Sequence, residues 1–165
     1  MKSTLLVYCC AALPVILVGC ASAPIALSTV GPGPASRPVV AKEDAKGYLE
    51  VFSAREKSTE IGFNTYFYPH SGYDINDASG QSVRFVPNHL SDMDESPDRV
   101  ALPAGTYNIV ARSTWCGQVS VPVVIENGNI TVVHLDNEWF PPSHTPSNEL
   151  TYLPNKEAVG WSVQP

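Results

Sequence analysis

Cysteine is nearly missing where a fold would use it. Three of the four stand at positions 9, 10 and 20, leaving Cys116 alone for any domain that follows. A single thiol closes no internal disulfide, so a disulfide-stapled scaffold is excluded. Basic residues are also few: ten Lys and Arg against 16 Asp and Glu, a net charge of −6, with no basic run or stripe. Phosphate neutralisation needs clustered cations, so nucleic acid is not an expected partner. Helical periodicity, heptads and internal repeats are absent as well. No apolar run reaches the ~20 residues that cross a bilayer as a helix. There is no Gly-x-Ser-x-Gly elbow, no His-Glu-x-x-His pair and no closely spaced cysteine pair. The expectation is therefore a non-enzymatic chain with no cofactor and no metal.

What the N-terminus does have is an export signal. Lys2 precedes an apolar stretch over residues 5–18, broken by Pro14, and the stretch ends in Leu17-Val18-Gly19-Cys20. Those four residues resemble the bacterial lipobox. The resemblance implies a diacylglyceryl group on the Cys20 sulfur, removal of residues 1–19 as a lipoprotein signal peptide, and acylation, for example by palmitate, of the new α-amine. Several acyl chains at one terminus anchor far more firmly than one. Ala21-Ser22-Ala23 offers the alternative of ordinary secretory cleavage. Ala21 is not the Asp that resembles an inner-membrane retention signal, which favours the outer membrane. Residues 20–46 read as a Pro/Gly-rich tether. Within it PIALSTVGPGPASRP, at about 3.1 Å per extended residue, would hold a domain a few nanometres off the bilayer.

Residues 100–136, VALPAGTYNIVARSTWCGQVSVPVVIENGNITVVHLD, organise the rest. Tyr107, Ile109 and Ala111 share one face of a first arm. Val119, Val121, Val123 and Ile125 share a face of a second, and Thr131, Val133 and Leu135 of a third, the period of two that marks half-buried strands. Asn127-Gly128 favours a tight hairpin between the last two arms, so the stretch reads as a β-meander. Earlier, GYLEVFSA (47–54) reads as a strand, and IGFNTYFY (61–68) as a strand or aromatic-capped loop ended by Pro69. Residues 73–75 and 82–86 form a hairpin around NDASGQ, and 87–98 a polar, acidic loop. Residues 137–165 are loop-rich, with AVGWSV (158–163) as a last short strand and Trp161 covering an end of the core. The sum is an all-β chain, an antiparallel β-sandwich of about six or seven strands whose domain spans residues 47–136.

Leu102-Pro103-Ala104-Gly105-Thr106-Tyr107, followed by Ile109, Ala111, Val121-Pro122-Val123 and Gly128 before a final strand, resembles the carboxypeptidase regulatory-like domain and the related PEGA domains. The resemblance covers roughly residues 98–136, more weakly from Gly47. It implies a transthyretin-like or immunoglobulin-like sandwich and a non-catalytic role in a cell-surface protein, and it assigns no ligand.

Side chains with chemistry remain scattered. Asp92, Asp94, Glu95 and Asp98 could offer oxygens to Ca²⁺, but the glycine and distal glutamate of a calcium loop are missing, so a solvated loop is expected. His70, His89, His134 and His144 follow no ligand spacing. Cys116, at a hairpin corner with Arg112 as the nearest cation in sequence, reads as an inert turn cysteine. Phe63, Tyr66, Phe67, Tyr68, Tyr73, Trp115 and Trp139 either fill the core or form a stacking surface; Tyr66, Tyr68 and Trp115 are the candidates for stacking a ligand. Three functions follow. The first is a lipid-anchored structural or protein-interaction module of the envelope, with a protein partner. The second is a cell-wall glycan or polysaccharide binder. The third is a small hydrolase, which needs a His and a carboxylate converging on a Ser or Cys.

Overall fold

Alternation builds the centre of the fold. In a computed structural model, which describes residues 22–34, 46–58 and 65–163, β7 (Gly105–Ser113) and β8 (Gly117–Ile125) pair antiparallel from Gly105 opposite Ile125 to Ser113 opposite Gly117. Every second residue points inward: Ile109 and Ala111 on β7, and Val119, Val121, Val123 and Ile125 on β8, are all buried. Each fully buried aliphatic side chain stabilises the fold by about 1.5–3 kcal/mol.

The larger sheet runs in the order β10 (Leu150–Tyr152), β11 (Ala158–Ser162), β2 (Val30–Gly31), β8, β7, β4 (Tyr73–Asp77), β5 (Ser82–Val86), with β1 (Ile25–Ala26) also on β8. The smaller sheet is β6 (Arg99–Pro103), β3 (Lys46–Phe52), β9 (Ile130–His134). Leu49, Val51, Val100, Leu102 and Val133 from the smaller sheet meet Ile75, Ile109 and the β8 valines in one apolar core. This is a nearly all-β sandwich.

Three expectations are corrected. The sandwich is mixed, not purely antiparallel: β1 and β2 run parallel to β8, and β9 runs parallel to β3. The meander breaks at its third arm. One edge of β8 is taken by β7 and the other by β1 and β2, so β9 has no place beside it and crosses to the smaller sheet. The Asn127-Gly128 turn does reverse the chain, with Gly128 at φ 74°. But β3 captures it: Gly128 N–H donates to the Lys46 carbonyl and Tyr48 N–H to the Asn129 carbonyl, both at 2.9 Å. Gly47 permits this approach, since a Cβ there would collide with the Glu126 carbonyl. Third, part of the presumed tether belongs to the sheet. Leu27 N–H donates to the Ser120 carbonyl at 2.8 Å and Val30 is fully buried, the pairing ending where Pro32 has no N–H to give. Of the two readings of 61–68, strand or aromatic-capped loop, the described part takes the loop: Ser58 N–H to the Phe67 carbonyl (2.9 Å) and Phe67 N–H to Ser58 Oγ (3.0 Å) hold it, and 61–64 lie outside the described residues. The last strand appears as expected, as β11.

One buried polar side chain ties the 87–98 loop to the sheets. Asn88, fully buried at φ 68°, donates from Nδ2 to the Val51 carbonyl (2.8 Å), Ser53 Oγ (2.9 Å) and the Ser71 carbonyl (3.3 Å). Its Oδ1 accepts from Asp98 N–H at 3.0 Å.

Candidate functional site

The directions of the strands define two ends. One end holds the β4–β5 turn at 78–81 and the 126–129 turn. At the other lie the β7–β8 turn at 114–116, the 65–72 segment before β4, the 87–98 loop and the stretch that follows β9. Hydrogen bonds join these four. Thr114 N–H donates to the Leu135 carbonyl at 2.9 Å, Tyr68 N–H to Glu95 Oε1 at 2.7 Å, and Arg55 to the Tyr68 carbonyl and, as an ion pair at 2.9 Å, to Glu138. With its amide turned to match donors to acceptors, Asn137 donates to Glu157 Oε1 at 2.9 Å and accepts from Trp115 Nε1 at 3.2 Å. Asn137 takes φ 66°, a left-handed conformation that asparagine tolerates better than most residues.

That turn swings Trp139 back onto the end of β9. The His134 ring stacks between Phe52 (4.7 Å, 21°) and Trp139 (4.7 Å, 9°), Trp139 meets Trp161 edge-on at 6.3 Å, and His70 meets Phe52 edge-on at 5.5 Å. Burial, then the neighbouring His70, pushes the His134 pKa down to about 4, so a neutral imidazole stacks here at neutral pH. His70 donates from Nδ1 to the Ser53 carbonyl at 2.6 Å, since a carbonyl only accepts, and its buried Nε2 has no partner among the described residues. Burial raises the Asp136 pKa, against the Glu138 N–H bond and His70.

Trp139 divides two hollows. One of about 270 Å³ is walled by His134, Asn137, Phe140, Tyr152, Lys156 and Glu157; a shallower one of about 190 Å³ lies over Phe52, Asp136 and Glu138. Around them the end is studded with apolar side chains in water: Leu90 is 87% exposed, Phe140 84%, Trp115 67%, Met93 55% and Tyr68 45%. The turns at the opposite end, 78–81 and 126–129, carry no exposed large apolar residue. Such a surface can hold an apolar ring or chain while Asn137, Lys156 and Glu157 supply hydrogen bonds at its rim.

Of the stacking candidates, Tyr68 and Trp115 come to this end, Trp115 bonded to Asn137 and Tyr68 linked through Arg55 to Glu138. Tyr66 is half-buried with Lys57 Nζ 3.4 Å over its ring. Tyr73 is core, its phenol pKa raised chiefly by burial; Phe67 is half-buried, and Phe63 lies outside the described residues. Leu17, Val18, Gly19 and Cys20 lie outside them too.

Two carboxylates of the acidic loop, Asp94 and Glu95, accept backbone hydrogen bonds. Asp94 accepts from Ser96 and Leu90 N–H groups, which lower its pKa, and Glu95 from Tyr68. Among the described residues no three His, Cys, Asp or Glu side chains gather as a metal requires. The buried Ser53 beside His70 turns its hydroxyl to the Ser71 carbonyl and offers His70 only its own carbonyl, so no nucleophile–base pair forms there. Cys116 is half-buried against the core.

Sequence reading missed Phe140, Leu90 and Met93. The signal for Phe140 was Trp139-Phe140-Pro141-Pro142, two aromatics ahead of two prolines that cannot re-enter a ladder. Among the described residues no helix is long and apolar enough to cross a membrane. No protein-family model, no curated protein and no solved structure matches this chain.

Proposed function

We propose that this chain is a lipid-anchored, non-catalytic β-sandwich of the cell envelope, in the outer membrane, working as a structural or interaction module that meets an envelope component through its exposed aromatic end. The observation that carries this reading is the gathering on one end of the three most exposed large apolar side chains among the described residues, Leu90, Phe140 and Trp115, together with Met93. Exposed apolar side chains concentrated at one end favour a contact there. The Leu17-Val18-Gly19-Cys20 sequence supports the anchor, and the resemblance to carboxypeptidase regulatory-like domains supports the non-catalytic role. A protein partner has a further surface open to it: among the described residues β5 pairs only with β4, leaving an edge with Val83 and Phe85 exposed.

Cell-wall glycan is a second reading, favoured by the 270 Å³ hollow. Its charges balance, Lys156 against Glu157, and a neutral His134 and Asn137 add polar groups beside the rings, which suits an uncharged, hydroxyl-bearing ring.

Intact mass of the membrane-extracted protein, with fractionation of a Cys20→Ser variant, tests the anchor. The expected result is loss of residues 1–19, added acyl mass, and release of the variant from the membrane. A soluble native protein cut after Ala23 overturns the reading. Co-sedimentation with purified peptidoglycan sacculi tests the glycan reading, which fails if Tyr152→Ala and Phe140→Ala pellet as the native chain does.

A further inference from the structure

Three features of the chain's entry into the sandwich converge on one surface. The first is length. From Cys20 to Ile25 there are five Cα steps, at most about 18 Å when fully extended, and Ile25 is already in the sheet. A domain acylated at Cys20 is thus held close against the bilayer, because the residues that would have formed a long spacer are β1 and β2.

The second is direction. β1 runs parallel to β8 with Ile25 opposite Val119, two residues into β8. In parallel register the chain before Ile25 heads past Gly117 toward the 114–116 turn, so the anchor enters at the end that carries Trp115.

The third is composition. The three most exposed large apolar residues of the described chain, Leu90, Phe140 and Trp115, all stand at this end, with Met93 and Tyr68 beside them. The five sit on four separate connections, each fixed to the scaffold: by Asn88 at the base of 87–98, by the Asn137–Trp115 hydrogen bond, by the Arg55 bridge to Glu138, and by the bonds of Tyr68 to Arg55 and Glu95. Trp and Tyr, with an apolar body and a polar tip, partition to the headgroup level of a membrane, and Leu, Phe and Met reach the acyl boundary.

We infer that the aromatic end docks on the bilayer that holds the lipid anchor, with Trp115, Phe140, Leu90 and Met93 inserted at the headgroup–acyl boundary. This rests on acylation at Cys20, and it names the partner of the contact surface already described as the lipid surface itself. Asp92, Asp94 and Glu95 on the same loop give the end no attraction for anionic lipid, so the docking is apolar and proceeds on zwitterionic membranes. The opposite end and the β5 edge then face away from the bilayer, open to other partners.

The test uses the full acylated protein reconstituted into phosphatidylcholine–phosphatidylethanolamine vesicles whose acyl chains carry bromine near the headgroup, with tryptophan emission as the readout. The expected result is a blue shift and strong quenching, most of which disappears in Trp115→Phe. An Asn127→Trp reporter at the opposite end, placed in the Trp115→Phe chain, adds emission that the bromines do not quench. Quenching that Trp115→Phe leaves unchanged, or a quenched reporter at position 127, overturns the docking. Intact mass of the same sample separates the two layers. Acylated protein whose tryptophans stay unquenched keeps the anchor and sinks the docking, leaving a protein or glycan as the partner of this end; a chain without acyl mass sinks both.

Discussion

The two ends of the sandwich grow from the same strands and are finished in opposite ways. At one end the turns close on themselves. Asp77 accepts from Ser79 N–H, Ser79 Oγ and Gln81 N–H at 2.6–2.9 Å, bonds that hold its carboxyl below the usual range, and the 126–129 turn is taken up by the start of β3. At the other end most connections are longer, and side chains fix them in addition to single backbone bonds such as Thr114 N–H to the Leu135 carbonyl: Asn88, Asn137, Arg55 and the Phe52–His134–Trp139 stack. A closed turn needs only to satisfy its own backbone. The open end spends ordered side chains on keeping apolar groups in water, which costs stability and is retained where a surface meets something.

That difference can be broken first at Asn88. Three of its four hydrogen bonds are buried and the fourth partly so, and Ala in its place leaves the Val51 and Ser71 carbonyls and the Asp98 N–H with one partner fewer. Asn88→Ala is expected to lower unfolding stability by about 3 kcal/mol in a urea titration. Fluorescence of Trp115 should change before the main transition, because the latch holds the open end. A variant as stable as the native chain would mean that the 87–98 loop stands without its latch and that the open end is no costlier than the closed one.

Much of this scaffold was legible. The period-two runs of β3, β7 and β8 each place one face in the core, and the NDASGQ hairpin formed where the turn residues put it. What could not be read was non-local. Residues 24–34 have a spacer's composition, yet two-residue pieces of them fill the free edge of β8 and so force β9 into the other sheet; no local pattern reports an edge already occupied. The contact end hid for a different reason. Leu90 and Met93 stand singly in an acidic string, and a loop aromatic such as Phe140 has the same sequence whether it is buried or exposed. The two histidines that share Phe52 lie 64 positions apart in the chain; the β3–β9 pairing brings His134 to it, and the bridge of His70 to Arg55 with its bond to the Ser53 carbonyl brings the other.

A smaller effect separates the ends by pH. His134 holds its proton to about pH 4 in the folded chain and to about 6.5 when unfolded. Between those values the unfolded state binds more protons, so stability falls as pH drops from about 6.5 toward 4. Discounted for its partial exposure, the loss is about 1 kcal/mol. Asp136 works the other way, because its raised pKa lets the folded chain take up a proton first on acidification. His134→Phe keeps a ring between Phe52 and Trp139 and should flatten the urea midpoint across this window. If the slope persists, the pH dependence belongs to other carboxylates and not to the stack.

The smallest expected effect on stability is the most telling. Phe140→Ser and Leu90→Ser remove the two most exposed apolar side chains of the open end, and neither residue is part of the buried core. Surface changes of this kind shift stability by no more than about 0.5 kcal/mol. In brominated vesicles, however, the double variant should lose much of the Trp115 quenching of the acylated native chain, since Phe140 and Leu90 are the two most exposed apolar side chains of the docking end. Unchanged stability with lost quenching locates the function of this end in its exposed rings. A fall in stability of several kcal/mol would instead make those side chains part of the fold and return the open end to the same rule as the closed one.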